Sequence, residues 1–175
     1  MALVALGELD RARADYEGIL ASTAAVLGRD HVANATTHYD LGEALRLAGD
    51  CERATASYLR AIDAYEGTLG AGHRFVAYPL TALGECNLEL GRPADAIRHA
   101  ERALALRASW TGDRSLLGRT RFALARALWA AGVELGRARE LAAQARDDYA
   151  ASGRRSEDAL ARVDAWLRRT TGGAE

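Results

Sequence analysis

The chain has 175 residues, 49% of them apolar and 27% charged, which is the composition of one globular domain and excludes a disordered or collagen-like polymer. Its formal net charge of -1 supplies no global field for DNA, RNA or an anionic membrane surface, so neither nucleic acid nor membrane is expected as a partner. All 23 basic residues are Arg and none is Lys, which excludes Schiff-base chemistry, a phosphate-holding P-loop Lys and a protein-kinase catalytic Lys.

With two prolines, few Ile and Val and abundant Ala, Leu, Arg and Glu, the chain is expected to be all-α. Met1 to Leu6 is apolar but meets Gly7, Glu8 and Asp10 at once, far short of a signal h-region or a span of roughly 20 apolar residues. The expectation is a cytoplasmic protein. Cys51 and Cys86 have no cysteine close by in sequence, so free, buried thiols in a reducing compartment are the simplest reading.

Self-similarity then organises the chain. Laying residues 7–48 over 49–90 without a gap gives 12 identities in 42, against about 3 to 4 by chance in an Ala-rich sequence, so a repeat of 42 residues is present. Gly7 recurs as Gly49 and Gly91, Ala12 as Ala54 and Ala96, His31 as His73, and Leu41-Gly42-Glu43 as Leu83-Gly84-Glu85. Each unit reads as two antiparallel helices closed by Gly, the residue that best accepts a left-handed conformation.

In chain order, residues 1–28 form a partial repeat that begins inside a unit, its second helix running from Glu8 to Leu27 without its full partner. That half-unit exposes the apolar side of Leu9, Tyr16, Ile19, Leu20 and Val26 and predicts either further protein upstream or pairing of two ends. The unit 29–70 carries Leu41, Leu45 and Ala48 on its first helix and Ala54, Tyr58, Ala61, Ile62 and Tyr65 on its second, one apolar stripe each. The unit 71–112 opens its second helix with Pro93, where a missing N–H costs nothing. The unit 113–153 has its punctuation slipped by one, at Gly132, predicting a longer turn with Gly136 as a second break. A capping helix over 156–169, with Ser156 as its N-cap and Leu160, Val163, Trp166 and Leu167 as its stripe, covers the last unit. Its polar outer face is assigned to Arg154, Arg155, Glu157, Asp158, Arg162 and Asp164. Residues 1–169 are thus expected as one domain, with 170–175 a disordered tail.

This pattern resembles the tetratricopeptide repeat, in the long variety of kinesin light chains and many bacterial regulators. The resemblance rests on Leu-Gly at 41–42 and 83–84, on Gly49 and Gly91, on Ala54, Tyr58 and Ala61, and on the turns Leu27-Gly28-Arg29-Asp30-His31 and Leu69-Gly70-Ala71-Gly72-His73. It covers residues 1–151 and implies a right-handed α-solenoid of antiparallel helix pairs. Residues 121–129, 138–142 and 163–167 further resemble the C-terminal arrays of myxobacterial serine/threonine protein kinases. That likeness implies a bacterial signalling context and imports no catalytic residue, since no kinase motif occurs.

A solenoid of helix pairs has a concave surface lined by the first helix of each unit. The family register places Tyr39, Asp40, Glu43 and Arg46 there in one unit and Tyr78, Thr81, Glu85 and Glu89 in the next. Two readings of Glu43 and Glu85 stay open: a carboxylate pair for a peptide presenting Arg or Lys, or Glu43 tied to Arg46 three residues on, with Glu85 solvated. The Ala-rich fourth unit, with Ala123, Ala127 and Ala130, is expected to pack and not to read ligand.

His31 and His73 at equivalent turns are read as packing against or capping the following helices and not as metal ligands. His38, His99, Asp147-Asp148 and Glu157-Asp158 are read as solvated or helix-end groups. No catalytic residue, metal or cofactor is expected. The functional expectation is a non-catalytic protein-interaction module or scaffold with a protein or peptide partner, basic in charge if the carboxylate pair is free to read it. The alternative is a self-assembly element, a homodimer formed through Leu9, Tyr16 and Ile19.

Overall fold

The computed structural model describes residues 11, 14–16, 18–23, 25–26, 28, 31–108 and 112–171. Helical residues at 11, 14–16, 18–23 and 25–26 form α1. Three helix pairs follow: α2 (Val32–Leu47) with α3 (Cys51–Leu69), α4 (Ala77–Glu89) with α5 (Pro93–Arg107), and α6 (Arg114–Ala131) with α7 (Leu135–Ala151). A 3₁₀ turn, Arg74–Val76, leads into α4, and another, Gly153–Ser156, leads into α8 (Glu157–Thr171). No strand occurs among the described residues. From α2 to α8 each helix packs on its sequence neighbour, and α4 also packs on α2 and α6, the stacking that makes an α-solenoid.

Local chemistry sets the boundaries. The His31 imidazole Nδ1 accepts a hydrogen bond from the Ala33 amide at 3.2 Å, and His73 Nδ1 does the same for Phe75 at 3.2 Å. Both histidines are therefore caps, although His73 caps the 3₁₀ turn ahead of α4. The Asp50 carboxylate caps α3 and Asp113 caps α6 by accepting from the Arg53 and Ser115 amides. Gly49 and Gly91 hold the turns within pairs at φ +82° and +71°, where a side chain would be strained. In the fourth unit Gly132 takes this role at φ +70°, and the second left-handed residue is Glu134 at +47°. Gly136, expected to be that break, lies inside α7.

The apolar stripes meet in two stacked cores. The first joins Leu41 and Leu45 of α2 with Tyr58, Ile62 and Tyr65 of α3 and Leu80 and Leu83 of α4. The second joins Leu124 and Leu128 of α6, Leu141 and Tyr149 of α7, and Val163 and Trp166 of α8. Ala48, placed on the stripe of the first helix, instead ends α2 in an exposed position. Trp166 packs edge-on against Phe122 and Trp129, with ring centroids 5.9 and 5.5 Å away, which seats α8 on α6 as well as on α7. Ser156 is buried at the end of the 3₁₀ turn, one residue before the cap helix begins. Thr170, expected in the tail, is buried in α8; its hydroxyl donates to the Trp166 carbonyl and its own carbonyl accepts from Arg139. Residues 172–175 lie outside the described residues.

Two expectations are corrected by the stacking. Cys51 opens α3 and Cys86 lies in α4, their Cα atoms 5.1 Å apart, and they form a disulfide instead of two free thiols. Closing a loop with a sequence separation of 35 removes about 4 kcal/mol of unfolded-chain entropy on the loop-closure account. Asp148 is fully buried and not solvated: Arg114 donates to it at 2.9 and 3.1 Å, and Arg121 donates to its other oxygen.

Among the described residues the close approach at Gly42 is the tightest of any glycine within a pair. A Cβ there would sit 2.5 Å from the ring of Tyr58, which is fully buried. At Gly67 on α3, nothing lies within 4 Å of a Cβ. Gly67→Ala is expected to raise the unfolding free energy by up to about 1 kcal/mol through helix propensity. Gly42→Ala is expected to lower it by about 1 to 3 kcal/mol through overpacking. Denaturant titration of both variants checks this, and equal gains would show that the Tyr58 contact is not constraining.

Candidate peptide-binding groove

The first helices α2, α4 and α6, joined by α8, line one face. Along it Tyr39 meets Tyr78 edge-on and packs at a tilt on the buried Tyr58 ring beneath, with centroids 6.0 and 6.1 Å apart, and Arg107 lies over the Tyr78 ring at 4.7 Å. Beyond the tyrosines the face turns ionic. Arg119 of α6 reaches back over two units: its guanidinium donates to Glu85 at 2.7 and 3.0 Å and to Glu43 at 3.2 Å. Arg46 donates to both oxygens of Glu43 at 3.2 Å and stands 3.8 Å from Glu85. The Tyr58 hydroxyl donates to Glu43 at 2.6 Å.

This enclosure fixes the ionisation of the cluster. Burial pushes the Glu43 carboxyl up, but the Arg119 charge and the hydrogen bonds from Arg46 and Tyr58 outweigh it and bring the pKa down to about 2. Burial and the neighbouring Glu43 carboxylate push the Tyr58 phenol far up, so it stays a donor. Burial acts against the Arg119 charge, and Glu85 and Glu43 more than offset it. The pairing of Glu43 with Arg46 foreseen from their spacing is present, whereas Glu85, offered there as solvated, is bound by Arg119.

The other expected groove residues are distributed unevenly. Asp40 is exposed, its pKa raised by partial burial and by Glu43. Thr81 is buried and unable to meet a ligand; its hydroxyl lies 2.9 Å from that of Thr120, joining α4 to α6. Glu89 is exposed, with a carboxylate oxygen 3.2 Å from the Cys51 sulfur. Of the residues proposed for self-association, Tyr16 packs half-buried against the first core, Ile19 is 49% exposed, and Leu9 lies outside the described residues. His99 is half-buried 3.2 Å from the Asn87 amide, and burial followed by Arg98 lowers its pKa. Half-buried His38 is likewise lowered by burial and then Arg60. Neither histidine is freely solvated.

Sequence reasoning missed the far end of the groove. A cavity of about 200 Å³ is lined by Arg46, Glu85, Arg119, Phe122, Arg126 and Arg162, among others. Three of these six come from the fourth unit, which the Ala pattern had marked as packing alone. Arg162 belongs to the cap helix and faces this cavity, in place of the outer face expected for it. Tyr149, also in the lining, has its phenol pushed up to about 12 by burial and by Glu85. The residues suit recognition of a chain by charge and aromatic contact. No group of three or more His, Cys, Asp or Glu that could hold a metal occurs among the described residues.

A stack of helix pairs with a lined groove defines a solenoid repeat protein. The chain matches the tetratricopeptide-repeat family over residues 1–67 and 56–109, and it belongs to that family. BtubC (BKLC) from P. vanneervenii superposes with a TM-score of 0.72 at 26% identity, covering 83% of this chain and 58% of that one. The chain thus spans a little over half the length of that relative. A putative kinesin light chain from Podosopora anserina with nearly identical TPR-like repeats gives 0.61 at 22% identity, covering 85% and 70% of the two chains. A substituted form of that light chain gives 0.69 at 21% identity, covering 95% and 83%. These last two share the fold. No curated protein sequence matches the chain. No helix among the described residues is long and apolar enough to cross a membrane.

The depressed Glu43 pKa carries a sign. Its stabilisation is complete above the unfolded value of 4.5 and is lost as pH falls from there to about 2. The difference in unfolding free energy between the protein and Glu43→Gln is expected to be about 3 kcal/mol at neutral pH and to shrink toward zero near pH 2. Denaturant titrations across that window measure it. A gap that does not vary with pH would show that charge does not hold Glu43.

Proposed function

We propose that this chain is a non-catalytic protein-interaction scaffold that holds an extended segment of a partner in the groove running from Tyr39 and Tyr78 to the Arg119 cluster. The observation that carries the reading is the groove itself, an aromatic entry leading to a fixed ionic centre built by three successive units. Tetratricopeptide repeats are scaffolds for protein contact, and the membership stated above supports the same class of function. The likeness of residues 121–129, 138–142 and 163–167 to kinase-associated arrays supports a place in bacterial signalling, as the regulatory array of a serine/threonine kinase. A basic segment is less suited to the centre than its carboxylates alone imply, because Arg119 and Arg46 already occupy them.

Selection from a displayed random-peptide library tests the reading. Enriched peptides are expected to compete with one another and to lose roughly tenfold or more in affinity on Tyr78→Ala, which removes an aromatic contact at the entry. Enrichment of no peptide, or of peptides indifferent to that substitution, would overturn it.

Self-association through α1 is a second reading, favoured by the exposure of Ile19 at 49% and Val26 at 81%. It predicts a solution mass that rises with concentration above 18.7 kDa and returns to that value with Ile19→Glu. A constant monomer mass in light scattering would end it.

A further inference from the structure

Charges along the groove are not equally satisfied. Arg46 and Arg119 are held by Glu43 and Glu85. Arg126 and Arg162 line the same cavity, yet among the described residues neither has a carboxylate within 4.0 Å. A second cavity, of about 310 Å³, adjoins the first and shares Phe122, Arg126 and Arg162 with it, continuing to Trp166 and Arg169. Arg169 also has no such partner among the described residues. Two cavities with common walls make one cleft between α6 and α8, with an aromatic floor and three uncompensated guanidinium groups. In the floor Phe122 and Trp166 pack edge to face at 5.9 Å, and Arg126 lies 5.9 Å from the Phe122 centroid. Five arginines that each met an internal carboxylate would leave nothing for a partner to read; here the surplus lies at one end.

We infer that the cleft between α6 and the cap helix α8 binds an acidic peptide segment of a partner protein, whose carboxylates pair with Arg126, Arg162 and Arg169 across the Phe122–Trp166 floor. The inference deepens the groove reading above and rests on it, adding the charge of the partner and the end at which it is read. Arg guanidinium forks match carboxylates in a two-pronged geometry. The apolar floor shields one side of those pairs from water, which strengthens them over pairs with water on every side. A peptide is favoured over nucleic acid because Glu85 and exposed Glu89 stand on the wall of the same cleft. A continuous polyphosphate would run against those carboxylates, whereas a peptide places discrete acidic side chains beside the arginines alone. The cap helix thereby acts as a reading element as well as a cover for the last core.

The test uses the full chain and fluorescent peptides of alternating Glu and Leu, alternating Arg and Leu, and alternating Ser and Leu, with single-stranded oligothymidylate as a further probe. Binding is expected for the Glu peptide alone, weakening as salt is added. Arg126→Glu with Arg162→Glu is expected to weaken it by roughly tenfold to a hundredfold, the loss of two charge-assisted contacts. Arg60→Glu with Arg98→Glu, the same change in net charge at exposed positions outside the cleft, is expected to change it by less than about twofold. Circular dichroism and melting check that both double variants stay folded. Preference for the Arg or Ser peptide, tighter binding of oligothymidylate, equal loss in both double variants, or no binding of the Glu peptide would each overturn the inference. In those cases library peptides that are neutral or basic and sensitive to Tyr78→Ala would still uphold the groove reading, so the two fail separately.

Discussion

Arg119 is the side chain on which the groove depends, because one guanidinium ties three successive units together. Its bonds to Glu85 and Glu43 run from α6 to α4 and on to α2, so the relative placement of the first helices is fixed by charge as well as by apolar packing. Two carboxylates this close would repel and one would take up a proton; Arg119 and Arg46 between them keep Glu43 ionised down to about pH 2. The cost of taking these groups out of water is offset only because each has several partners. A network of this kind adds orientation more than net stability, and orientation is what a binding face requires.

Around that network the packing is done by small residues and shared hydroxyls. Gly42 lets the Tyr58 ring lie against the α2 backbone, and that position delivers the Tyr58 hydroxyl to Glu43. At Gly84 the carbonyl of Ala96 would stand 3.3 Å from a Cβ, so α4 and α5 approach closely as well. Thr81 and Thr120 satisfy each other between α4 and α6, and the Cys51–Cys86 bond fastens α3 to α4. Consecutive units are joined by chemistry at each level: apolar area, a hydroxyl pair, a covalent bond and an ion network.

The fourth unit and the cap depart from the pattern of the others. Asp148 is buried under Arg114 and Arg121, where the preceding units use apolar contacts, and α8 sits on α6 through Phe122, Trp129 and Trp166. The helix that closes the core therefore also closes the groove, and its Arg162 enters the same lining as Arg119. Arginines outnumber carboxylates in the cleft at this end, the reverse of the balance that Glu43 and Glu85 suggest when read alone.

The sequence by itself determined the all-α repeat architecture. Punctuation by Gly and the stripe Ala54, Tyr58, Ala61, Ile62 and Tyr65 are local, periodic signals, and α3 buries all five of those residues. His31 and His73 were legible as structural turn residues, and the contact two residues on decides for capping over packing. The tertiary structure alone decided contacts between distant residues: the disulfide, the burial of Asp148 and the reach of Arg119 across 76 positions to Glu43. Arg119 was invisible from the pattern because the slipped punctuation of the fourth unit hides which of its arginines faces Glu85. Arg162 was assigned to the outside because a stripe tells which face of a helix is apolar, and not which neighbour the polar flank meets. Periodicity encodes what a helix buries; only the stack decides which charges come together.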